Sequence, residues 1–340
     1  MEVFMTLGKV PLWDTVNKIP GGIMIVPLFL GCLFNTFAPA ALNIGGFSTA
    51  LFKNGAFALI AVLFVCSGSQ IRLQAAGMAV YKGFVLNAAK VLIGTGSGVI
   101  FAKAFGPEIT LLGVTPLALI SALGNNNGGL YTALASKYGD SEDVGAIAVL
   151  SSNDGPFFEM MLMGAVGVAA IPGMVLFATI FPLLLGMLLG NLDDKIRIFL
   201  KPGMMIAISM FAFPLGTSLS LKTMLSAGIP GIFLGLIVLG FTGTVSYVLY
   251  RVCVPKKRRR SSAPGMAVGT TAGNALATPA AIGAVDPFWQ PYVAAATAQV
   301  ACAILITAIL CPMVVDYIYR REERKGLINT AIPPAIGIGE

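Results

Sequence analysis

The chain has 340 residues, of which 56% are hydrophobic and only 11% charged, with a formal net charge of +7. A soluble domain of this size needs a polar shell that such a composition cannot supply, so the sequence reads as an all-α integral membrane protein. Histidine is absent, which excludes imidazole-based nucleophile activation and imidazole metal ligation.

From the N-terminus, Trp13 and Lys18 suggest an interfacial lead-in rather than a cleavable signal. Ten stretches then have the length and apolarity of transmembrane helices: 21–39, 47–69, 80–105, 112–137, 142–168, 171–190, 202–220, 226–250, 263–285 and 291–318. The fourth and ninth are rich in Gly, Asn, Ser and Thr. The 40 glycines suit helices that pack backbone to backbone in lipid. The five cysteines show no paired spacing and are expected to be unpaired thiols.

Charge tests the alternation. With ten crossings, one side collects 18 of the 22 Lys and Arg residues, the other only Lys53, Lys103 and Lys222, and Lys90 falls inside the third span. That bias places both termini on the cytoplasmic side of an inner membrane. The densest basic run, Lys256 to Arg260, lies in a short loop between apolar segments. It is therefore topogenic, and no nucleic-acid partner is expected.

The two halves resemble each other. Pro27-Leu-Phe-Leu-Gly31 in the first span answers Pro182-Leu-Leu-Leu-Gly186 in the sixth. Lys53-Asn54-Gly55 precedes Gly68 as Lys201-Pro202-Gly203 precedes Gly216, and Gly124-Asn125 answers Gly273-Asn274. Five spans per copy invert the second relative to the first, an arrangement typical of alternating-access carriers. The expected units are 1–170, 171–318 and a cytoplasmic tail, 319–340.

The chemistry is expected at the breaks. The fourth span is interrupted at Gly124-Asn125-Asn126-Asn127-Gly128-Gly129, the ninth at Thr270-Thr271-Ala272-Gly273-Asn274, followed by Pro279. Broken backbone within a bilayer must line protein or a wet cavity. Half-helix N-termini suit a carboxylate, and Asn and Thr side chains suit hydroxyl and keto oxygens. The substrate-binding candidates are thus Asn125, Asn126, Asn127, Gly128, Gly129, Thr270, Thr271, Gly273 and Asn274, and the substrate is a small anion.

The fifth span carries Ser151-Ser152-Asn153-Asp154-Gly155-Pro156-Phe157-Phe158-Glu159. An intramembrane carboxylate is a functional hypothesis by default. Asp154 is the favoured ion-coupling residue, with Asn153 and Ser151 beside it. Glu159 is a weaker candidate, projecting about 140° away and expected near the outer end of its span. Ser151, Asn153, Asn125 and freed carbonyls also leave a sodium cage open. Lys90 is read first as snorkelling or packing, and Gln299 as an interhelical hydrogen-bonding group. An intramembrane enzyme is disfavoured: without histidine only a Ser–Lys pair remains, and an aspartyl dyad needs two facing carboxylates.

With these strings in view, the chain resembles the 2-keto-3-deoxygluconate permeases over nearly its whole length. The resemblance rests on Pro20-Gly21-Gly22, Asn35-Thr36-Phe37-Ala38-Pro39, Gly45-Gly46-Phe47, Phe52-Lys53-Asn54-Gly55, Asn127-Gly128-Gly129-Leu130-Tyr131, Asn153-Asp154-Gly155-Pro156-Phe157-Phe158 and Thr271-Ala272-Gly273-Asn274-Ala275. It implies proton-coupled uptake of 2-keto-3-deoxygluconate or a related sugar acid, with no cofactor beyond the coupling ion. It also implies a fold like that of bile-acid sodium symporters, with panel and core domains and broken helices four and nine crossing. The chain departs from the family's Ser-Asn-Ser-Asn-Gly-Gly pattern at Gly124 and Asn126, and Glu159 is unusual.

Overall fold

The computed structural model describes residues 11–19, 22–71, 77–153 and 155–335. Lys9, Arg72, Asp154, the Pro20-Gly21 pair and positions 336–340 of the tail lie outside the described residues. Everything regular within them is helical; the only β feature is one isolated bridge, Leu111 to Val114.

The principal helices, in chain order, are α1 (Gly22–Phe37), α2 (Ala56–Gln70), α3 (Met78–Phe105), α4 (Pro116–Gly124), α5 (Gly128–Tyr138), α6 (Phe157–Val166), α7 (Gly173–Leu192), α8 (Gly203–Gly216), α9 (Gly228–Cys253), α10 (Ala263–Ala267), α11 (Ala277–Val285) and α12 (Gln290–Arg324). Among the described residues, five helices are long and apolar enough to cross a membrane: α3, α7, α9, the segment Asp194–Gly216 that contains α8, and Pro287–Arg324 containing α12. The expected second span is split, since Gly46–Phe52 meets α2 at 63° across Lys53–Gly55. The fourth, fifth and ninth expected spans are chains of shorter helices, because their Gly, Asn and Pro strings interrupt the hydrogen-bond ladder. The tenth runs further than expected, to Arg324, its charged last turns prolonging the helix beyond the apolar stretch.

α3 and α9 each contain a π-helical segment, Ala89–Thr95 and Val238–Gly243. Such bulges re-aim side chains within an otherwise regular helix and recur at functional positions. Here they bring Lys90 and Thr242 together.

α1 packs on α8 and α2 on α7, so helices from the two halves of the sequence interleave. At these seams the backbones touch. A Cβ on Gly31 would collide with the carbonyl of Phe213, and one on Gly216 with that of Leu28; Gly68 meets Leu183 and Gly186 meets Val65 in the same way. Small residues permit this approach, which maximises van der Waals contact where lipid offers no hydrophobic drive.

The remaining helices form a second body around α12. At one end Lys82 is buried among carboxylates, 2.7 Å from Asp140, 3.1 Å from Asp143 and 3.4 Å from Glu142. Asp140 and Asp143 cap the helix Ser141–Gly145 reciprocally, and Tyr250 donates to Asp143. No disulfide is formed; all five cysteines are free thiols.

Candidate functional site

The two breaks lie against each other. α4 begins at a Thr115 cap, whose amide and hydroxyl both donate to Gln299 of α12 at 3.0 and 3.1 Å. Gln299 in turn donates to the carbonyl of Gly113, so its interhelical bonding role is observed directly. α4 ends at Gly124, the chain runs extended through Asn125, and Asn127 caps α5 by accepting from the Leu130 amide. The other break runs from α10 through an extended Ala272 into the 3₁₀ turn Gly273–Leu276 and α11. Thr270 accepts from the Asn127 amide at 3.0 Å, and Thr271 donates to the Ala122 carbonyl at 2.7 Å. The Thr270 and Thr271 side chains thus satisfy backbone groups around the first break, as buried polar groups in an apolar setting require.

The irregular stretch at 151–156 braces the same point. Asn125 donates to the carbonyl of Asn153 and Asn153 to that of Gly124, at 3.3 and 3.2 Å. Ser152 receives a hydrogen bond from Asn87 of α3. Asp154, the favoured coupling residue, lies outside the described residues.

Glu159 lies against the first break. It is 1% exposed, with Oε1 against the Cα face of Gly124 and Oε2 buried without a hydrogen-bond partner. The helix stops at Asn153 and restarts at Phe157, past Gly155 with φ of 95°. Lys90 does not snorkel. Fully buried in the π segment of α3, it donates to Thr242 at 3.2 Å and to the carbonyl of Thr270 at 3.1 Å. It therefore holds the ninth break from behind, within electrostatic reach of Glu159 but in no ion-pair contact with it.

In front of the breaks lies a cavity of about 1080 Å³. Asn126, Asn127, Gly128, Gly129, Gly273, Asn274 and Ser151 form one wall. Asn125, Thr270, Thr271, Asn153 and Glu159 do not reach it; they sit behind, joining the breaks. The opposite wall comes from α1, α2 and α8, through Met24, Leu63, Ser67, Gln70, Met204 and Ile208. The mouth is formed by Asn17 and Lys201, both exposed.

Its charge is one-sided. Among the described lining residues there is one cation, Lys201, and no carboxylate. Gly128 and Gly129 are the first two residues of α5, whose amides have no acceptor within the helix. The cavity thus presents free N–H groups, the positive end of a helix and amide side chains, which together suit a carboxylate with hydroxyl or keto oxygens. Lys201, Gln70, Ser67 and Thr132 did not stand out in the sequence. Gln70 and Ser67 carried a faint signal, as polar residues at the end of an otherwise apolar span.

The family profile described as 2-keto-3-deoxygluconate permease matches residues 13–324. The chain is 42% identical over 314 residues to 2-keto-3-deoxygluconate permease 1 of Salmonella typhimurium, covering 92% of this chain and 97% of that protein. It is 35% identical over 317 residues to the 2-keto-3-deoxygluconate permease of Bacillus subtilis, covering 92% and 94%. For that of Xanthomonas oryzae pv. oryzae the identity is 37% over 304 residues, covering 88% and 94%. Among solved structures the chain is similar to the sodium proton antiporter MjNhaP1 from Methanocaldococcus jannaschii at pH 8. The TM-score is 0.54 at 14% identity, covering 96% of this chain and 99% of that one, a likeness of fold alone.

Proposed function

Because this chain belongs to the 2-keto-3-deoxygluconate permease family, we propose that it carries 2-keto-3-deoxygluconate or a closely related sugar acid into the bacterial cell by proton-coupled alternating access. The observation that carries this reading is the cavity: carboxylate-free among its described lining residues, faced by a helix N-terminus and amide side chains, and guarded by one lysine. The sugar acid's carboxylate docks at Gly128 and Gly129, its hydroxyls against Asn126, Asn127 and Asn274. Asp154 takes the coupling proton, with Glu159 as the second protonatable group behind the breaks.

The reading includes ten crossings in two inverted five-helix repeats, 1–170 and 171–318, with both termini and the tail 319–340 cytoplasmic. Several spacings support it. The π segments begin 149 residues apart, at Ala89 and Val238, as do the Gly-Asn breaks at Gly124 and Gly273. The glycine seams also exchange partners, α1 on α8 answering α7 on α2. The cavity mouth at Lys201 lies on the side with the surplus of cations, which makes this conformation the inward-facing one.

One observation favours sodium as the alternative coupling ion. Asn125 Oδ1, Asn153 Oδ1, Thr95 Oγ1 and Glu159 Oε2 are buried side-chain oxygens with no hydrogen-bond partner among the described residues, and hard oxygens are what sodium prefers. Uptake of labelled 2-keto-3-deoxygluconate into proteoliposomes under an inward proton gradient without sodium decides between them. Wild-type uptake abolished by a protonophore and lost in Asp154→Asn, with counterflow retained, supports proton coupling at Asp154. Uptake that appears only with sodium transfers the role to sodium, and no uptake under either gradient rejects the substrate.

A further inference from the structure

A second cavity, of about 430 Å³, lies between α9 and α12 and shares none of the lining residues of the first. Its polar rim holds Arg251, Arg321 and Lys325, with Tyr247 and Tyr317 beside them; its deeper wall is apolar, with Met266 and Val314, and exposed Leu327 lies at the edge. The one carboxylate in the wall, Glu322, is already engaged. It accepts from Ser261 at 2.8 Å, from the Ser262 amide at 2.9 Å and from Tyr247 at 3.2 Å, which fixes the start of α10. Arg251 leans on Tyr247 at 2.7 Å and stands 3.9 Å from Glu322. The side chains of Arg321 and Lys325 have no hydrogen-bond or ion-pair partner among the described residues. The pocket therefore holds a surplus of positive charge with nothing on the protein to meet it.

Its surroundings define what does. Val252 and Met313, on the outer faces of the same two helices, are strongly exposed and apolar, as is the ring of Tyr317. Apolar flanks running into a concave basic rim with tyrosines at the boundary are the pattern of a lipid-facing surface meeting the headgroup layer. A topogenic role needs only charge in the loop. It does not need three cations converging on a cavity with an apolar deeper wall.

We propose that this pocket binds the phosphodiester headgroup of an anionic phospholipid, one acyl chain lying along the α9–α12 groove. Arg321 and Lys325 hold the phosphate oxygens and Arg251 closes the rim. The ligand is a lipid rather than free phosphate because the deeper wall and flanks are apolar.

The test compares wild type with R321Q/K325Q and with a charge-matched control, K256Q/K257Q, in the exposed loop outside the pocket. Detergent-purified protein is titrated with phosphatidylglycerol or phosphatidylcholine and followed by native mass spectrometry. The expected result is one retained phosphatidylglycerol per chain, weakened roughly thirtyfold in R321Q/K325Q and unchanged in K256Q/K257Q, at about one cation's contribution per residue removed. Wild-type melting temperature rises with phosphatidylglycerol and not with phosphatidylcholine, a readout that does not depend on the variants. Equal weakening in both variants, no retained lipid in the wild type, or displacement by equimolar inorganic phosphate overturns the assignment.

Discussion

Gly124 and Glu159 are in direct contact: a Cβ added to Gly124 would come within 2.5 Å of Glu159 Oε1 and collide with the hydroxyl of Thr95. The two positions share one volume at the break. The glycine leaves the volume that the carboxylate occupies.

Gly124→Ser is therefore expected to overpack the break, costing about 1–3 kcal/mol and abolishing uptake. Glu159→Ala alone leaves a void, and the double variant Gly124→Ser/Glu159→Ala recovers part of the stability loss, because the sites share one volume while the contact with Thr95 remains. Thermal melting in detergent and proteoliposome uptake read the cycle. Additive losses in the double variant would show that the two positions do not compensate.

The wall residues and the residues behind them should separate kinetically. Asn126→Ala removes a cavity-facing amide and raises KM roughly tenfold, the loss of a hydrogen bond to a charged or strongly polar ligand. Thr271→Val keeps the shape but strands the Ala122 carbonyl, lowering stability by about 1–3 kcal/mol with KM almost unchanged. A KM rise in Thr271→Val would place that hydroxyl on the substrate after all.

Lys201 is the only cation among the described residues of the cavity lining, and it is exposed. Its effect is then long-range attraction rather than a fixed contact. Lys201→Gln is expected to slow substrate capture in inside-out vesicles several-fold at low salt. The difference vanishes near 1 M salt, where the screening length is about 3 Å. A salt-independent defect would instead assign Lys201 a direct bond to the substrate.

Lys82 compensates Asp140 and Asp143, both buried. Lys82→Met leaves those charges unpaired, and a loss of about 3–5 kcal/mol follows for a buried pair broken on one side. Lys82→Met/Asp140→Asn/Asp143→Asn should regain most of that stability, measured as melting temperature, because a neutral cluster carries no unpaired charge.

The breaks were legible because Gly, Asn and Pro strings cannot continue a helix in an apolar setting, and the structure interrupts the helices at those strings. The opposite wall of the cavity was not. Met24, Leu63, Met204 and Ile208 are the same residue types that face lipid elsewhere, so no composition signal distinguishes a side chain lining a wet cavity from one touching an acyl chain. The place of Glu159 was hidden for a different reason: a constant turn angle does not carry across Gly155, where the backbone turns at φ of 95°. The π segments were equally hidden, because a bulge is set by what α3 and α9 pack against. Lys90 consequently looked free to reach an interface when it is held on Thr242 and Thr270.

The glycine seams joining α1 to α8 and α2 to α7 have a mechanical consequence. Side-chain interfaces can slide by exchanging rotamers, but backbone resting on backbone has no rotamers to exchange. Those four helices behave as a stator. On the proposed function, any large excursion is taken up at the cavity between Met204 and Asn274. A short bridge across that seam stalls the machine, whereas a bridge from α1 to α8 costs it nothing.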